Sequence, residues 1–66
     1  MLIQQQIFYE PYTGVPHIID IVFAGKRIYN VLVDDEFYAT AEHKLGAFEE
    51  VADIIRNYRW SPIYPL

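Results

Sequence analysis

Few side chains in this 66-residue chain are of types that carry out chemistry. His17 stands three residues before Asp20, and an imidazole steered by a carboxylate is a common general base. Along an extended strand, however, positions three apart face opposite sides, so these two do not meet directly. A loop or surface histidine is the expected outcome. His43 lies between Glu42 and Lys44 at a strand-to-helix junction, where an imidazole can cap the helix or sense pH, although ordinary junction polarity accounts for it. Asp34, Asp35 and Glu36 form the densest acidic run. A calcium loop needs a longer ligand series with its glycine, whereas a tight turn accepts an Asp pair readily. Ser61, flanked by Trp60 and Pro62, is the only serine and has no activating neighbour. No phosphate-binding glycine loop, nucleophile elbow or metal-ligand spacing occurs. The chain is therefore expected to be no enzyme, with no metal and no cofactor. The enzymatic alternative is a small oligomer whose site forms between subunits around His17 or His43.

Composition narrows the class further. A chain this short makes one small domain, residues 1–66, and buries only ~60% of its extended surface. Such domains are usually reinforced by disulfides, a metal or an oligomer. Cysteine is absent, which leaves assembly or partner binding as the remaining device. Hydrophobic residues make up 53% and aromatic residues 17%, six of them tyrosine, a rich content for so little interior. The net charge is −4, from nine acids against five Lys and Arg. No basic stripe of the kind nucleic-acid binders carry is present. No apolar run approaches the ~18 residues of a membrane span, and Met1–Gln6 lacks a basic signal-peptide start. A cytoplasmic address is expected.

Hydrophobic periodicity supplies the elements. From Leu45 to Tyr58, Phe48, Val51, Ala52, Ile55 and Tyr58 recur at helical spacing, widened by Ala47 and Ile54. Glu49, Glu50, Asp53, Arg56 and Asn57 take the other side. Acids open the segment and Arg56 and Arg59 close it, the order a helix dipole favours. Before it, alternation predicts strands over about 2–9, 18–24, 28–33 and 37–42. Glu10–Pro16 forms a stiff loop with Pro11, Gly14 and Pro16, and Gly25-Lys26 and Asp34-Asp35 mark tight turns. The fold class is thus α+β, an antiparallel three- to four-stranded β-meander with one amphipathic C-terminal helix (about 45–58) on one face, then an extended tail. This strand–strand–strand–helix order is similar in topology to small three-stranded DNA-binding domains. Those have basic sheet faces, and this acidic chain shares no motif with them.

Register decides what the helix covers. With three-residue loops, Ile19, Ile21, Phe23, Tyr29, Val31, Val33, Phe37, Ala39 and Ala41 face inward. With two-residue loops, Ile28, Asn30 and Leu32 replace Tyr29, Val31 and Val33. The first arrangement segregates polar residues better. In either case Ile18, Val22 and Tyr38 lie on the face away from the helix, with further aliphatics. Pro62 and Pro65 keep the tail extended, so Trp60, Ile63 and Leu66 can fold over an apolar edge without roofing the whole second face. An uncovered apolar face is what binding surfaces look like.

The functional expectation is a small acidic protein-interaction module that binds itself, as a homodimer, or a larger protein. It would act as an inhibitor or accessory regulator of the kind phages and mobile elements encode. The partner-binding candidates are Ile18, Val22, Leu32 and Tyr38 on the sheet, with Tyr12, Trp60 and Tyr64 at the rim. An alternative is nucleic-acid mimicry, with Asp34, Asp35, Glu36, Glu42, Glu49, Glu50 and Asp53 as a phosphate-like array. Direct nucleic-acid binding, a membrane partner and a small-molecule substrate have no support in the sequence.

Overall fold

The computed structural model describes residues 1–64. Its elements are β1 (Leu2–Tyr9), β2 (Pro16–Gly25), β3 (Ile28–Val33), β4 (Glu36–Ala41) and α1 (Lys44–Tyr58). The strands form one antiparallel sheet in the order β1-β2-β3-β4, with α1 packed on one face. The expected α+β meander is present, with β2 starting two residues early and β4 shifted back by one.

Both hairpin turns contain two residues. Lys26 and Arg27 (φ 53° and 64°) connect β2 to β3, and Asp34 and Asp35 (φ 54° and 68°) connect β3 to β4. Two successive positive φ values are the mark of a type I′ turn, whose twist matches that of the strands it joins. A two-residue turn alone would have turned Tyr29, Val31 and Val33 outward. Each hairpin instead carries one bulged residue, Ala24 in β2 and Tyr38 in β4. The extra residue restores the parity of a three-residue loop. Ile19 therefore faces Val33, Ile21 faces Val31 and Phe23 faces Tyr29, all on the helix side. One expected inner residue is displaced. Phe37 lies between the turn and the bulge, pairs with Leu32 on the outer face and is 65% exposed.

In β1 a bulge at Ile3 sends Leu2 outward opposite Val22, while Ile3 packs on the core. Gln4 and Gln6 lie on the helix side, opposite Ile21 and Ile19. They are tolerated because α1 sits over β3 and β4, leaving that side of β1 open to water. Only Phe8 among the inner residues of β1 is fully buried, joining Ile19, Ile21, Val31, Ala47, Val51 and Ile54.

The helix is rotated slightly from the expected stripe. Its buried residues are Ala47, Val51 and Ile54, whereas Ala52 and Tyr58 are exposed. Small side chains explain the rotation. A Cβ at Gly46 would come within 3.2 Å of the Ala41 Cβ, so the helix settles closest to the sheet where Gly46 and Ala47 permit it. The expected acidic opening is also absent. α1 starts one residue early, Lys44 opens it, and its first turn holds no acid. The dipole is complemented only at the far end, by Arg56. Arg59 (φ 58°) ends the helix in a left-handed cap, its N–H donating to the Ile55 carbonyl.

Beyond the cap, Ser61 pairs with Tyr9 on the free edge of β1 through reciprocal backbone bonds of 2.7 and 3.0 Å. This docks Trp60 against the core. Ile63 does not follow it and is largely exposed; Leu66 lies outside the described residues. Two outcomes test this account by thermal and chemical denaturation. Ile54→Ala should cost ~3 kcal/mol, most of what so small a core supplies. Arg27→Gly should raise stability by about 0.5–1 kcal/mol, because glycine adopts the left-handed conformation without a Cβ clash.

Candidate interaction surface

The sheet face away from α1 has no cover among the described residues. Cross-strand pairs place Ile7 beside Ile18, Leu2 beside Val22, and Gln5, Asp20, Leu32 and Phe37 in one row across all four strands. Leu2, Ile7, Ile18 and Phe37 are exposed, and Val22 and Leu32 are half-buried. Of the four expected sheet residues, Ile18, Val22 and Leu32 thus share one continuous patch, and the exposed Tyr38 is the bulge at its border. Leu2, Ile7 and Phe37 join the patch although sequence reasoning did not select them. The bulges that place Leu2 and Phe37 there leave no mark in hydrophobic periodicity.

Asp20 stands in the middle of this face. It is only 8% exposed, and its Oδ1 has no hydrogen-bond partner. Flanking Ile18 and Val22 along the strand, and Leu32 across it, account for the burial. A shielded carboxylate oxygen without a donor is costly, about 1–3 kcal/mol and more when charged. The isolated fold gains nothing from it.

The end of the molecule near the Pro11–Pro16 loop is held by a clasp. His17 Nδ1 bonds Asp34 Oδ2 at 2.6 Å and His17 Nε2 bonds Glu10 Oε2 at 2.6 Å. The ring lies flat on Trp60, with centroids 4.1 Å apart and planes within 2°. Tyr58 stacks on Trp60 in turn at 5.1 Å. Asp34 Oδ1 accepts the Ile18 N–H and Glu10 Oε1 accepts the Thr13 hydroxyl, so both carboxylates are anchored. One imidazole therefore ties together the β1–β2 loop, the start of β2, the β3–β4 turn and the tail. A neutral ring has one N–H and can donate to only one carboxylate, so the pair of bonds requires the imidazolium. The Asp34 bond, reinforced by Glu10, raises the His17 pKa against the opposing pull of burial. The His17 bond holds both Glu10 and Asp34 below their ordinary values. With both nitrogens occupied, His17 is placed as a structural cation and not as a free base. Its carboxylates approach from opposite sides, and no group of three metal-binding side chains occurs among the described residues.

The rim residues divide. Tyr12 is 99% exposed at the loop tip with φ 71°. Trp60 is not a free rim residue, because it is half-buried between His17 and the core. Tyr64 stays exposed while its ring lies 5.2 Å from that of Tyr9. It also rests on Gly14, where any side chain would collide with it. The acidic residues form no single array. Asp34 belongs to the clasp; Asp35 completes its turn and Glu36 follows it. Glu42 follows the far end of β4, about 20 Å away. Glu49, Glu50 and Asp53 lie on α1, where Asp53 pairs with Arg56 at 3.3 Å.

The clasp makes stability depend on pH in a defined direction. A raised His17 pKa means that the folded state holds the proton more tightly, so this contribution is complete below about 6.5 and drains away as pH rises through the folded value. Glu10 and Asp34, held low, contribute above their ordinary values of 4.5 and 3.8 and lose it in acid. Melting temperature should therefore peak between roughly pH 4.5 and 6.5 and fall toward pH 8. A His17→Gln variant should lose the fall on the alkaline side, measured by circular dichroism across the range.

Comparison with protein-family models, with curated proteins and with solved structures returned no match to this chain. What the surface does has to be read from its own geometry.

Proposed function

We propose that this chain is a non-enzymatic protein-interaction module that docks through the outer face of its sheet. The partner is a second copy or a larger protein whose activity it inhibits or adjusts. The observation that carries this reading is the apolar patch of Leu2, Ile7, Ile18, Val22, Leu32 and Phe37 around the partnerless Asp20 carboxylate. Apolar area of this kind on one flat face is stabilising only when something covers it. A polar group that burdens the free fold is most easily explained by a donor arriving with the partner. Tyr38 at the border and Tyr12 beyond it add rigid aromatic contact area of the sort that anchors interfaces. Among the described residues no helix is long and apolar enough to cross a membrane.

A double variant, Ile18→Asp with Leu32→Asp, removes the patch without touching the residues beneath α1. Wild type should self-associate in sedimentation velocity or retain a partner in affinity capture from its native cells. The variant should do neither while keeping its circular dichroism spectrum. A wild-type chain that is monomeric and retains nothing would overturn the reading. A second outcome concerns Asp20 alone. Asp20→Val should stabilise the free chain by about 1–3 kcal/mol, the burden of an unpaired buried polar group, and at the same time weaken whichever association wild type shows.

A further inference from the structure

A different surface lies at the end of the molecule away from the clasp. On the helix side, Phe23 and Tyr29 face each other across β2 and β3, with ring centroids 5.2 Å apart and planes tilted by 51°. The helix does not extend over them, because it begins at Lys44 and runs toward Trp60 and the clasp. The half-buried ring pair, the Arg27 turn residue and the junction Glu42–Lys44 line an open cleft of about 360 Å³. That is the lower end of the ~300–1,000 Å³ of small-molecule sites, and its two aromatic rings beside four ionisable side chains suit a ligand that is part apolar and part charged.

Charge indicates what enters. Among the described residues the ion pairs are those of His17 with Glu10 and Asp34, and of Arg56 with Asp53. Arg27 and Lys44 are committed to none of these, and neither lies within ion-pair distance of Glu42 across the same cleft. Two free cations beside an aromatic pair, in a chain of net charge −4, form a local positive spot on an acidic molecule. A long polyanion would be repelled by the rest of the surface, whereas a compact ligand with one anionic group meets only the cleft. The start of α1 adds to the field, since His43 makes no side-chain cap bond and no acid occupies the first turn.

We propose that this cleft binds a small aromatic anion, an aryl ring bearing a phosphate or carboxylate group. The ring packs on Phe23 and Tyr29, and the oxyanion is held between the Arg27 guanidinium and the Lys44 ammonium. His43 contributes a further donor from the cleft wall, and Glu42 on the same wall excludes ligands with a second anionic group on that side. This site is separate from the outer sheet face, so it stands or falls independently of the docking surface.

The test is a titration of the full chain with phenyl phosphate, followed by amide nitrogen–proton chemical shifts. Saturating shifts are expected at Gly25–Ile28 and Glu42–Gly46. Inorganic phosphate and benzyl alcohol, each supplying half of the ligand, should bind about tenfold more weakly or worse. Arg27→Gly relieves backbone strain in its turn, so loss of binding in that variant reports the missing guanidinium and not unfolding. Lys44→Gln should weaken binding in the same direction, and the Ile18→Asp, Leu32→Asp variant should leave it unchanged. Absence of saturation, equal binding of inorganic phosphate, or undiminished binding by Arg27→Gly would each overturn the proposal.

Discussion

A sheet has two faces, and one helix has a single apolar stripe. In this chain α1 buries Ala47, Val51 and Ile54 against Ile19, Ile21 and Val31, with Phe48 and Ile55 packed partly against the same core. The strands carry more aliphatic side chains than that contact absorbs, because Ile7, Ile18, Val22 and Leu32 alternate onto the other side. Every other property of the molecule follows from this imbalance. The core is small, the outer face is greasy, and the described part of the tail docks Trp60 at one corner. The chain has no cysteine, so no disulfide reinforces the seven buried hydrophobic residues among those described.

The architecture was legible because its signals are local. Alternation in Ile18–Ala24 and the helical spacing after Leu45 each specify an element without reference to anything distant. The face assignments also came out of the pattern, since polar segregation favours Tyr29, Val31 and Val33 inside. The route to that register was not legible. It combines two-residue turns with a bulge in each hairpin, and a bulge is a backbone adjustment that no residue type announces at Ala24 or Tyr38. Phe37 shows the consequence. Its position in the alternation points inward, and one inserted residue sends it to the outer face. The helix rotation is similar in kind, because it depends on how closely Gly46 and Ala47 let α1 approach Ala41.

The candidate sites were less legible than the fold, for the same physical reason. His17, Glu10, Asp34 and Trp60 are separated by up to 50 residues in sequence and converge only once turn, loop and tail are placed. Geometry along the strand correctly separated His17 from Asp20, but it could not identify the two carboxylates that do reach the ring. The β2–β3 register supplies the missing step, since the Asp34 N–H donates to the Ile18 carbonyl and so brings that turn beside His17. Asp20 was visible as a polar residue in a good strand. That it lies buried among Ile18, Val22 and Leu32 on the outer face, with an oxygen unpaired, required its neighbours on both sides.

The distribution of charge connects these features. Acidic residues at one end, Glu10 and Asp34, are neutralised internally by a cation held in place by stacking. Cations at the opposite end, Arg27 and Lys44, have no ion-pair partner among the described residues and stand beside two half-buried rings. Between them lies the outer face, with one buried acid and no positive charge among its paired residues. An attracting partner for that face must therefore present apolar area around a hydrogen-bond donor. A second copy meets the first requirement through its own patch, and the second through uncharged donors such as the amides of Gln5 or Asn30, which share the face with Asp20, or the Tyr38 hydroxyl at its border. A larger protein with a central lysine or arginine meets both at once, which makes Asp20 the residue that separates the two kinds of partner.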